Sequence, residues 1–320
     1  VNPLPTVTAT TTNATICEGL GTTLTASGAS TYSWSPATGL SSTTGASVTA
    51  NPVVTTTYTV TGTDANGCSN AASITITVLP RPNVTVTASS STICNGGSST
   101  LTASGAISYS WSPATGLSAT TGSSVTANPT VTTTYTVTGT AANGCTNTAS
   151  VTITVNAPFT VTATASPSVI CEGNSSTLTA SGAVSYVWSP DTDLSSPTGS
   201  SVTATPTTTT TYTVVGTDAN GCTNSTTVTV TVNPMPVLTN PNPSPATICG
   251  GTAFNYAPTS SVSGTTFSWT RNTPAGITSS APTSGTGNIS NHILTNTTAS
   301  PIPVTYTYTL IANGCTNPIT

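Results

Sequence analysis

The chain has 320 residues, of which only 2% are charged, and its two basic and six acidic residues give a net charge of −4. Nucleic-acid binding needs a basic face that neutralises phosphates, so this composition excludes a nucleic-acid partner. It equally excludes attachment to anionic lipids through a basic patch, and no apolar run is long enough to span a bilayer.

A segment in which apolar residues alternate with threonine recurs along the chain. It stands at residues 56–78 as TTYTVTGTDANGCSNAASITITV, returns at 133–155 and 210–232, and has a shorter copy at 304–317. Side chains of a strand alternate between its two faces, so each copy predicts a β-hairpin. The Asn-Gly pair between the two strands suits a tight turn with positive φ values.

This repeat divides the chain into four predicted domains, at residues 1–79, 80–156, 157–233 and 234–320. Short proline-bearing segments such as VLPRP and VNPMP join the domains and should be extended and semi-rigid. Several short strands with turn signals around one tryptophan are typical of an Ig-like sandwich. We therefore expect an all-β protein of four tandem Ig-like or PKD-like β-sandwiches in an extended rod.

Each domain carries one tryptophan and one tyrosine where Ig-like sandwiches keep their core aromatic residues. We predict core packing rather than stacking on sugars, because both lie on the apolar face of their strands. The predicted core pairs are Trp34 and Tyr58, Trp111 and Tyr135, Trp188 and Tyr212, and Trp269 and Tyr306.

The fourth domain departs from the repeat. It has an insertion in which Ile289, Ile293 and Leu294 are predicted core residues. Only five residues follow Cys315, and Pro318 cannot donate to a strand ladder, so the domain is predicted to lack its closing strand. The next residues of a longer chain, or a strand donated by a neighbouring subunit, would complete the sandwich.

The eight cysteines fall as one early and one late cysteine in each domain. Two cysteines in a small domain predict a disulfide within it, formed in an oxidising compartment, and a small core needs such support. The alternatives are reduced thiols and a zinc site, and the single histidine, His292, disfavours zinc. The predicted pairs are Cys17–Cys68, Cys94–Cys145, Cys171–Cys222 and Cys249–Cys315, each tying an early loop to the hairpin tip.

Two domains carry an acidic residue near each cysteine, Glu18 with Asp64 and Glu172 with Asp218. One hypothesis is a weak calcium site at one end of the sandwich, and no other cofactor is predicted. We prefer the alternative that these carboxylates accept backbone N–H groups in their own loops, because calcium needs more oxygen ligands than two carboxylates supply.

The sequence contains no recurring set of catalytic residues. Nucleophilic catalysis needs a base beside a serine or cysteine, and glycoside hydrolysis needs a pair of carboxylates. The nearest carboxylates, Asp191 and Asp193, suit a turn in which they bond their own backbone. We predict that the protein is not an enzyme.

The motifs ICEG, TLTASGA, YSWSPATGL and TTTYTVTGTDANGC resemble the Ig-like repeats of very large secreted surface proteins of Bacteroidota. In the fourth domain ATICGGTAFNY, GTTFSWTR, SGTGNIS and YTLIANGCTN resemble the PKD-like domain found beside such repeats. The resemblance implies export by the type IX route and a role as a stalk or adhesin, including the adhesins of gliding motility.

We therefore predict a structural extracellular protein at the cell surface, forming part of a stalk, fibre or adhesin. The alternative function is a binding module whose end loops hold a surface glycan or another surface ligand. Ice binding by threonine arrays shares the composition, but separate sandwiches do not form one flat face. Because uncharged strands without lysine leave sheet edges unprotected, we also expect self-association into fibres.

Overall fold

A computed structural model describes residues 1–240 and 247–319, and of Pro318 and Ile319 it describes the backbone only. The described residues form 29 β-strands and no helix. The chain divides into two compact units, Val1–Pro158 and Phe159–Thr320, and each unit contains two β-sandwiches. The protein is thus a tandem array of β-sandwich domains.

The first domain contains seven strands in two facing sheets. They are β1 (Thr8–Thr11), β2 (Thr15–Cys17), β3 (Thr22–Ser27), β4 (Thr31–Ser35), β5 (Ser47–Ala50), β6 (Thr56–Thr63) and β7 (Ser69–Leu79). One sheet has the order β1-β3-β5 and the other the order β2-β7-β6-β4. All neighbours are antiparallel except β2 and β7, which run parallel. This is an Ig-like arrangement.

Strict alternation of side chains explains the core of this domain. Along β6, Tyr58 and Val60 are fully buried, whereas the threonines that alternate with them point outward. Leu24 of the first sheet and Trp34 of the second, 3% exposed, complete the centre of the same cluster. The outward threonines pair across strands through hydroxyl hydrogen bonds, as Thr57 and Thr75 do at 2.8 Å.

The second and third domains repeat the plan. The second has β8 (Thr85–Ala88), β9 (Thr92–Cys94), β10 (Ser99–Ser104), β11 (Ser108–Ser112), β12 (Ser124–Ala127), β13 (Thr133–Thr140) and β14 (Thr146–Asn156). The third has β15 (Thr162–Ser166), β16 (Val169–Cys171), β17 (Ser176–Ser181), β18 (Ser185–Ser189), β19 (Ser201–Ala204), β20 (Thr210–Thr217) and β21 (Thr223–Asn233). Trp111, Tyr135, Trp188 and Tyr212 are all buried in these cores.

The fourth domain has eight shorter strands. They are β22 (Ala253–Tyr256), β23 (Thr266–Arg271), β24 (Ile277–Thr278), β25 (Ser284–Thr286), β26 (Ile289–Ile293), β27 (Thr295–Asn296), β28 (Tyr306–Ala312) and β29 (Cys315–Ile319). The main sheet has the order β25-β23-β28-β29, and β22-β26 and β24-β27 form two small sheets. Trp269 is buried, whereas Tyr306 is only half-buried at the edge of the core cluster.

Two predictions for this domain need correction. A closing strand is present, because β29 pairs antiparallel with β28 from Cys315 to Ile319, and Pro318 takes a place in the ladder. The predicted core residue Ile293 is 41% exposed, whereas Ile289 and Leu294 are buried as expected. Asn291 adopts a positive φ of 56°, which breaks the alternation of β26 and turns His292 into the core instead.

The hairpin tips also differ between the two kinds of domain. In the first domain the turn spans Asp64–Gly67 and only Gly67 has a positive φ, of 81°. In the fourth domain Asn313 and Gly314 both have positive φ values, as a two-residue type I′ turn requires. The same Asn-Gly pair thus closes a four-residue turn in one domain and a two-residue turn in the other.

Candidate functional site: the joint between consecutive sandwiches

The two cysteines of the first domain lie at opposite ends of the sandwich. Since β2 runs parallel to β7, Cys17 lies opposite Leu79 at the end of β7, whereas Cys68 immediately precedes its first residue, Ser69. A strand of 11 residues spans roughly 33 Å at about 3.3 Å per residue. A disulfide requires Cα atoms within about 7 Å, so these two cysteines cannot pair.

The disulfides instead join consecutive domains. Cys17 of the first domain bonds Cys145 of the second, with Cα atoms 5.7 Å apart, and Cys171 of the third bonds Cys315 of the fourth at 5.6 Å. Cys94 and Cys222 are disulfide-bonded as well, whereas Cys68 and Cys249 are free thiols. The predicted pairs Cys17–Cys68, Cys94–Cys145, Cys171–Cys222 and Cys249–Cys315 are therefore wrong.

Each described joint places the trailing end of one sandwich against the hairpin tip of the next. In the first unit the Arg81 side chain of the linker donates to the Glu18 carbonyl at 2.6 Å from Nε to O. The Asn143 amide, at the tip of the second domain, donates to the Pro80 carbonyl at 2.9 Å. A short linker, two side-chain hydrogen bonds and one disulfide therefore hold the two domains together.

The second unit builds its joint from a repeat sandwich and the different fourth domain. Asn233, at the end of β21, donates its amide to the Asn313 carbonyl at the tip of the fourth domain, over 2.8 Å. An open cleft of about 510 Å³ lies beside the disulfide and is lined by residues that include Asn174 and Asn233. The joint therefore tolerates a different sandwich and a shorter hairpin turn.

Local turns fix the cysteines on both sides of the joints. Leu20 and Asn174 each lie three residues after a cysteine, and their backbone N–H groups donate to the Cys17 and Cys171 carbonyls at 3.0 and 2.9 Å. On the tip side, the N–H of Ala141 donates to the Cys145 carbonyl at 2.9 Å. Backbone hydrogen bonds therefore fix the turns that carry these cysteines.

The structure does not bring together the carboxylates of the calcium hypothesis. Glu18 follows Cys17 at the end of β7, where its backbone N–H donates to the Leu79 carbonyl, whereas Asp64 lies at the hairpin tip at the other end. Asp64 Oδ1 accepts the N–H groups of Asn66 and Cys68, both at 2.9 Å, and Asp218 makes the equivalent bonds in the third domain.

The carboxylates of Asp64 and Asp218 therefore accept hydrogen bonds within their own turns. Glu172, beside Cys171, likewise lies at the opposite end of its sandwich from Asp218. Among the described residues, no group of three or more His, Cys, Asp or Glu side chains could hold a metal ion.

A buried polar cluster in the fourth domain was missed by sequence reasoning. His292 Nδ1 lies 2.9 Å from the Tyr306 hydroxyl, and the Trp269 ring meets the imidazole edge-on, with centroids 4.9 Å apart. Burial, and then the nearby Arg271 guanidinium, lower the pKa of His292. The signal available in the sequence was a lone histidine and a lone arginine in a domain that has no acidic residue to pair with them.

This cluster contains no activated nucleophile. Arg271 donates Nη2 to the Ala281 carbonyl at 3.2 Å, but its Nε has no partner among the described residues, and neither has Trp269 Nε1 or the Tyr308 hydroxyl. Buried donors without acceptors reduce stability, so the cluster weakens the core of the fourth domain.

Comparisons with known proteins identify one family and several solved structures of low similarity. The family described as "PKD-like domain" matches residues 246–318. No curated protein matches the chain. Among solved structures, the "Ca2+-stabilized adhesin" that "helps an Antarctic bacterium reach out and bind ice" is 18% identical, with 99% of this chain and 97% of that chain covered and a TM-score of 0.33.

Two further solved structures show likenesses of the same degree. Titin domains I67–I69 are 12% identical, covering 73% of this chain and 99% of that chain, with a TM-score of 0.33. The eight N-terminal Ig domains of the Down syndrome cell adhesion molecule are 15% identical, covering 98% of this chain and 54% of that chain, with a TM-score of 0.32.

The class of protein follows from the topology and the family match. The chain is a tandem array of three Ig-like sandwiches followed by a PKD-like domain, with a disulfide joining the two domains of each unit, an architecture common in structural and adhesive extracellular proteins. Within the described part of the chain, helices of the length and hydrophobicity needed to cross a bilayer do not occur.

Proposed function

We propose that this chain is a tension-bearing segment of an extracellular stalk, fibre or adhesin at the cell surface. One observation carries the proposal: the described disulfides bond one sandwich to the next and close neither sandwich on itself. A disulfide within a domain chiefly stabilises that domain, whereas a bond across a joint limits how far the two domains can separate.

The position of the bond decides how tension travels along the chain. Tension applied at the start of the first domain reaches Cys17, crosses to Cys145 and leaves through the second domain. The intervening residues, 18–144, lie inside the covalent loop and cannot be extended. In the second unit, the Cys171–Cys315 disulfide likewise keeps residues 172–314 from being extended by tension.

Export and surface location are parts of the same proposal. Disulfides persist in oxidising compartments, which supports an extracellular site. The resemblance of the repeat motifs to giant surface proteins of Bacteroidota favours export by the type IX route and attachment at the cell surface. The alternative, a glycan-binding module on the end loops, has less support because the loops at both described joints are bonded to the neighbouring domain.

Single-molecule pulling of the oxidised chain tests the proposal. We expect no long extension step from the first domain, because only the residues before Cys17 can extend. In the Cys17→Ser/Cys145→Ser double variant, the first domain should unfold with a step of roughly 25 nm, given about 3.5 Å per extended residue. A Cys68→Ser variant is the matched control, because Cys68 is a free thiol. Long steps from the first domain of the oxidised chain would contradict tension bearing.

A further inference from the structure

The two free thiols occupy the positions that carry disulfides elsewhere in the chain. Cys68 is the late cysteine of the first domain, equivalent to Cys145 and Cys315 at the hairpin tips. Cys249 is the early cysteine of the fourth domain, equivalent to Cys17 and Cys171. Both described bonds join an early cysteine to a late one, so the free pair is one of each kind.

Cys249 shares one turn hydrogen bond with the bonded early cysteines, although it lies in no strand, whereas Cys17 and Cys171 end β2 and β16. The N–H of Thr252 donates to the Cys249 carbonyl at 3.0 Å, matching Leu20 to Cys17 at 3.0 Å and Asn174 to Cys171 at 2.9 Å. The residue is exposed, so its thiol is open to a partner.

Cys68 has the backbone setting of the late cysteine Cys145. The Asp64 N–H donates to the Cys68 carbonyl at 3.0 Å, and the Ala141 N–H donates to the Cys145 carbonyl at 2.9 Å. Gly67 and Gly144 close both turns with the same positive φ of 81°. The first domain therefore presents a tip of the kind that Cys17 engages on the second domain.

We propose that Cys249 of one copy of this chain forms a disulfide with Cys68 of a second copy, joining copies head to tail. The new joint would repeat the early-to-late bond that the chain makes within each unit. One copy carries both halves of the joint on different domains, and a head-to-tail contact that does not close on itself generates a fibre. The inference goes beyond the proposed function, because it names a partner and does not require that the chain bear tension.

The bond forms by thiol–disulfide exchange with a small disulfide oxidant such as glutathione disulfide. The thiolate of one cysteine attacks the oxidant, forms a mixed disulfide and releases one glutathione thiolate. The second cysteine thiolate then attacks the protein sulfur of that mixed disulfide and releases the second glutathione. Two cysteine thiols are oxidised, one glutathione disulfide is reduced to two thiols, and the two protons pass to these thiols.

Complementation between two single variants tests the pairing. Cys68→Ser and Cys249→Ser each remove one free thiol and leave every bonded cysteine in place. With glutathione disulfide present, we expect the wild-type chain to form a ladder of disulfide-linked oligomers on a non-reducing gel. Each variant alone should remain monomeric, whereas a mixture of the two should form a dimer that reducing agent dissolves.

Peptide mapping of that dimer by mass spectrometry should identify the Cys68 peptide linked to the Cys249 peptide. A mixture that stays monomeric would overturn the proposal, and so would either variant dimerising alone through a symmetric bond. The assignment to a second copy also fails if protein isolated from its source has Cys68 bonded to a cysteine of any other sequence. None of these readouts involves force, so they fail independently of the tension-bearing proposal.

Discussion

The first and the fourth domain solve the same packing problem differently. In the first domain the buried polar groups of the core aromatics are satisfied: the Trp34 indole donates to the Gly45 carbonyl at 3.0 Å, and the Tyr58 hydroxyl donates to the Thr38 carbonyl at 2.7 Å. In the fourth domain the indole N–H of Trp269 and the hydroxyl of Tyr308 have no partner among the described residues.

The joints do not follow this difference between the cores. Cys171 meets the PKD-like fourth domain through Cys315 with a Cα separation of 5.6 Å, against 5.7 Å for Cys17 and Cys145 between two repeat domains. The joint is therefore independent of what fills the sandwich. Both described joints use a disulfide from an early cysteine to the late cysteine of the next domain, although the residues that fill the two kinds of core differ.

The largest expected effect comes from replacing the two tryptophans. Trp34→Phe should destabilise the first domain by about 2–3 kcal/mol, because it leaves a cavity and removes the hydrogen bond from the indole N–H to the Gly45 carbonyl. Trp269→Phe removes an indole N–H that has no acceptor, so it should cost the fourth domain about 1 kcal/mol less than Trp34→Phe costs the first.

Hydrogen–deuterium exchange read separately on β6, β13 and β28 measures the losses of the first, second and fourth domains. Trp111→Phe provides the matched control, because its indole donates to the Gly122 carbonyl at 2.9 Å and it should lose as much as Trp34→Phe. Equal losses for Trp34→Phe and Trp269→Phe would remove the distinction between the two cores.

The sequence was sufficient for the repeat cores and insufficient for the joints. Period-2 alternation in segments such as residues 56–63 identifies inward positions directly, since it depends only on strand geometry. The ends at which Cys17 and Cys68 lie depend on β2 running parallel to β7. A three-residue strand carries no periodic signal for its direction, and the predicted pairs rested on the count of two cysteines in each domain, which does not tell at which end each one lies.

The fourth domain shows a second limit of the same kind. Ile293 is a predicted core residue of the insertion, but the positive φ of Asn291 shifts the register of β26 by one position and buries His292. Asparagine adopts a positive φ more readily than most residues, yet one asparagine in a polar segment is not enough to predict a positive φ there. The buried histidine was therefore visible only in the structure.

That histidine makes the stability of the fourth domain depend on pH. Because burial and Arg271 lower the pKa of folded His292, the unfolded chain binds a proton that the folded domain rejects. Its contribution is complete above the unfolded pKa of about 6.5 and is lost as the pH falls from there towards the folded pKa. In that window we expect unfolding free energy to fall by at most about 1.4 kcal/mol per pH unit.

The repeat domains are the internal control for this experiment. The first three domains contain no histidine, and residues 234–320 contain no aspartate or glutamate. Hydrogen–deuterium exchange between pH 7 and pH 5, corrected for intrinsic exchange rates, should therefore show protection falling in β28 but not in β6. His292→Gln should abolish the trend. A pH dependence in β28 that survives this substitution would assign the effect to another group.

The smallest expected effect separates the third domain from the first and second domains. Gly39 and Gly116 adopt φ values of 75° in the turn that accepts the tyrosine hydroxyl, and Asp193 holds the equivalent place with φ of 64°. Tyr58 and Tyr135 donate to the turn, whereas the buried hydroxyl of Tyr212 has no partner among the described residues. Burial, and then the Asp193 charge, raise the pKa of Tyr212.

Replacing Asp193 with glycine should therefore stabilise the third domain. A left-handed backbone costs a residue with a Cβ about 1 kcal/mol relative to glycine, so Asp193→Gly should gain about that amount, and more if Tyr212 recovers its acceptor. Hydrogen–deuterium exchange in β20, measured at increasing temperature, gives the gain in unfolding free energy of the third domain. The reciprocal Gly39→Asp change should destabilise the first domain, because its Cβ would lie 2.9 Å from the Asn51 carbonyl oxygen. If Asp193→Gly leaves β20 unchanged or weaker, the aspartate makes a compensating contribution to the turn and the first three domains do not share one optimum at this position.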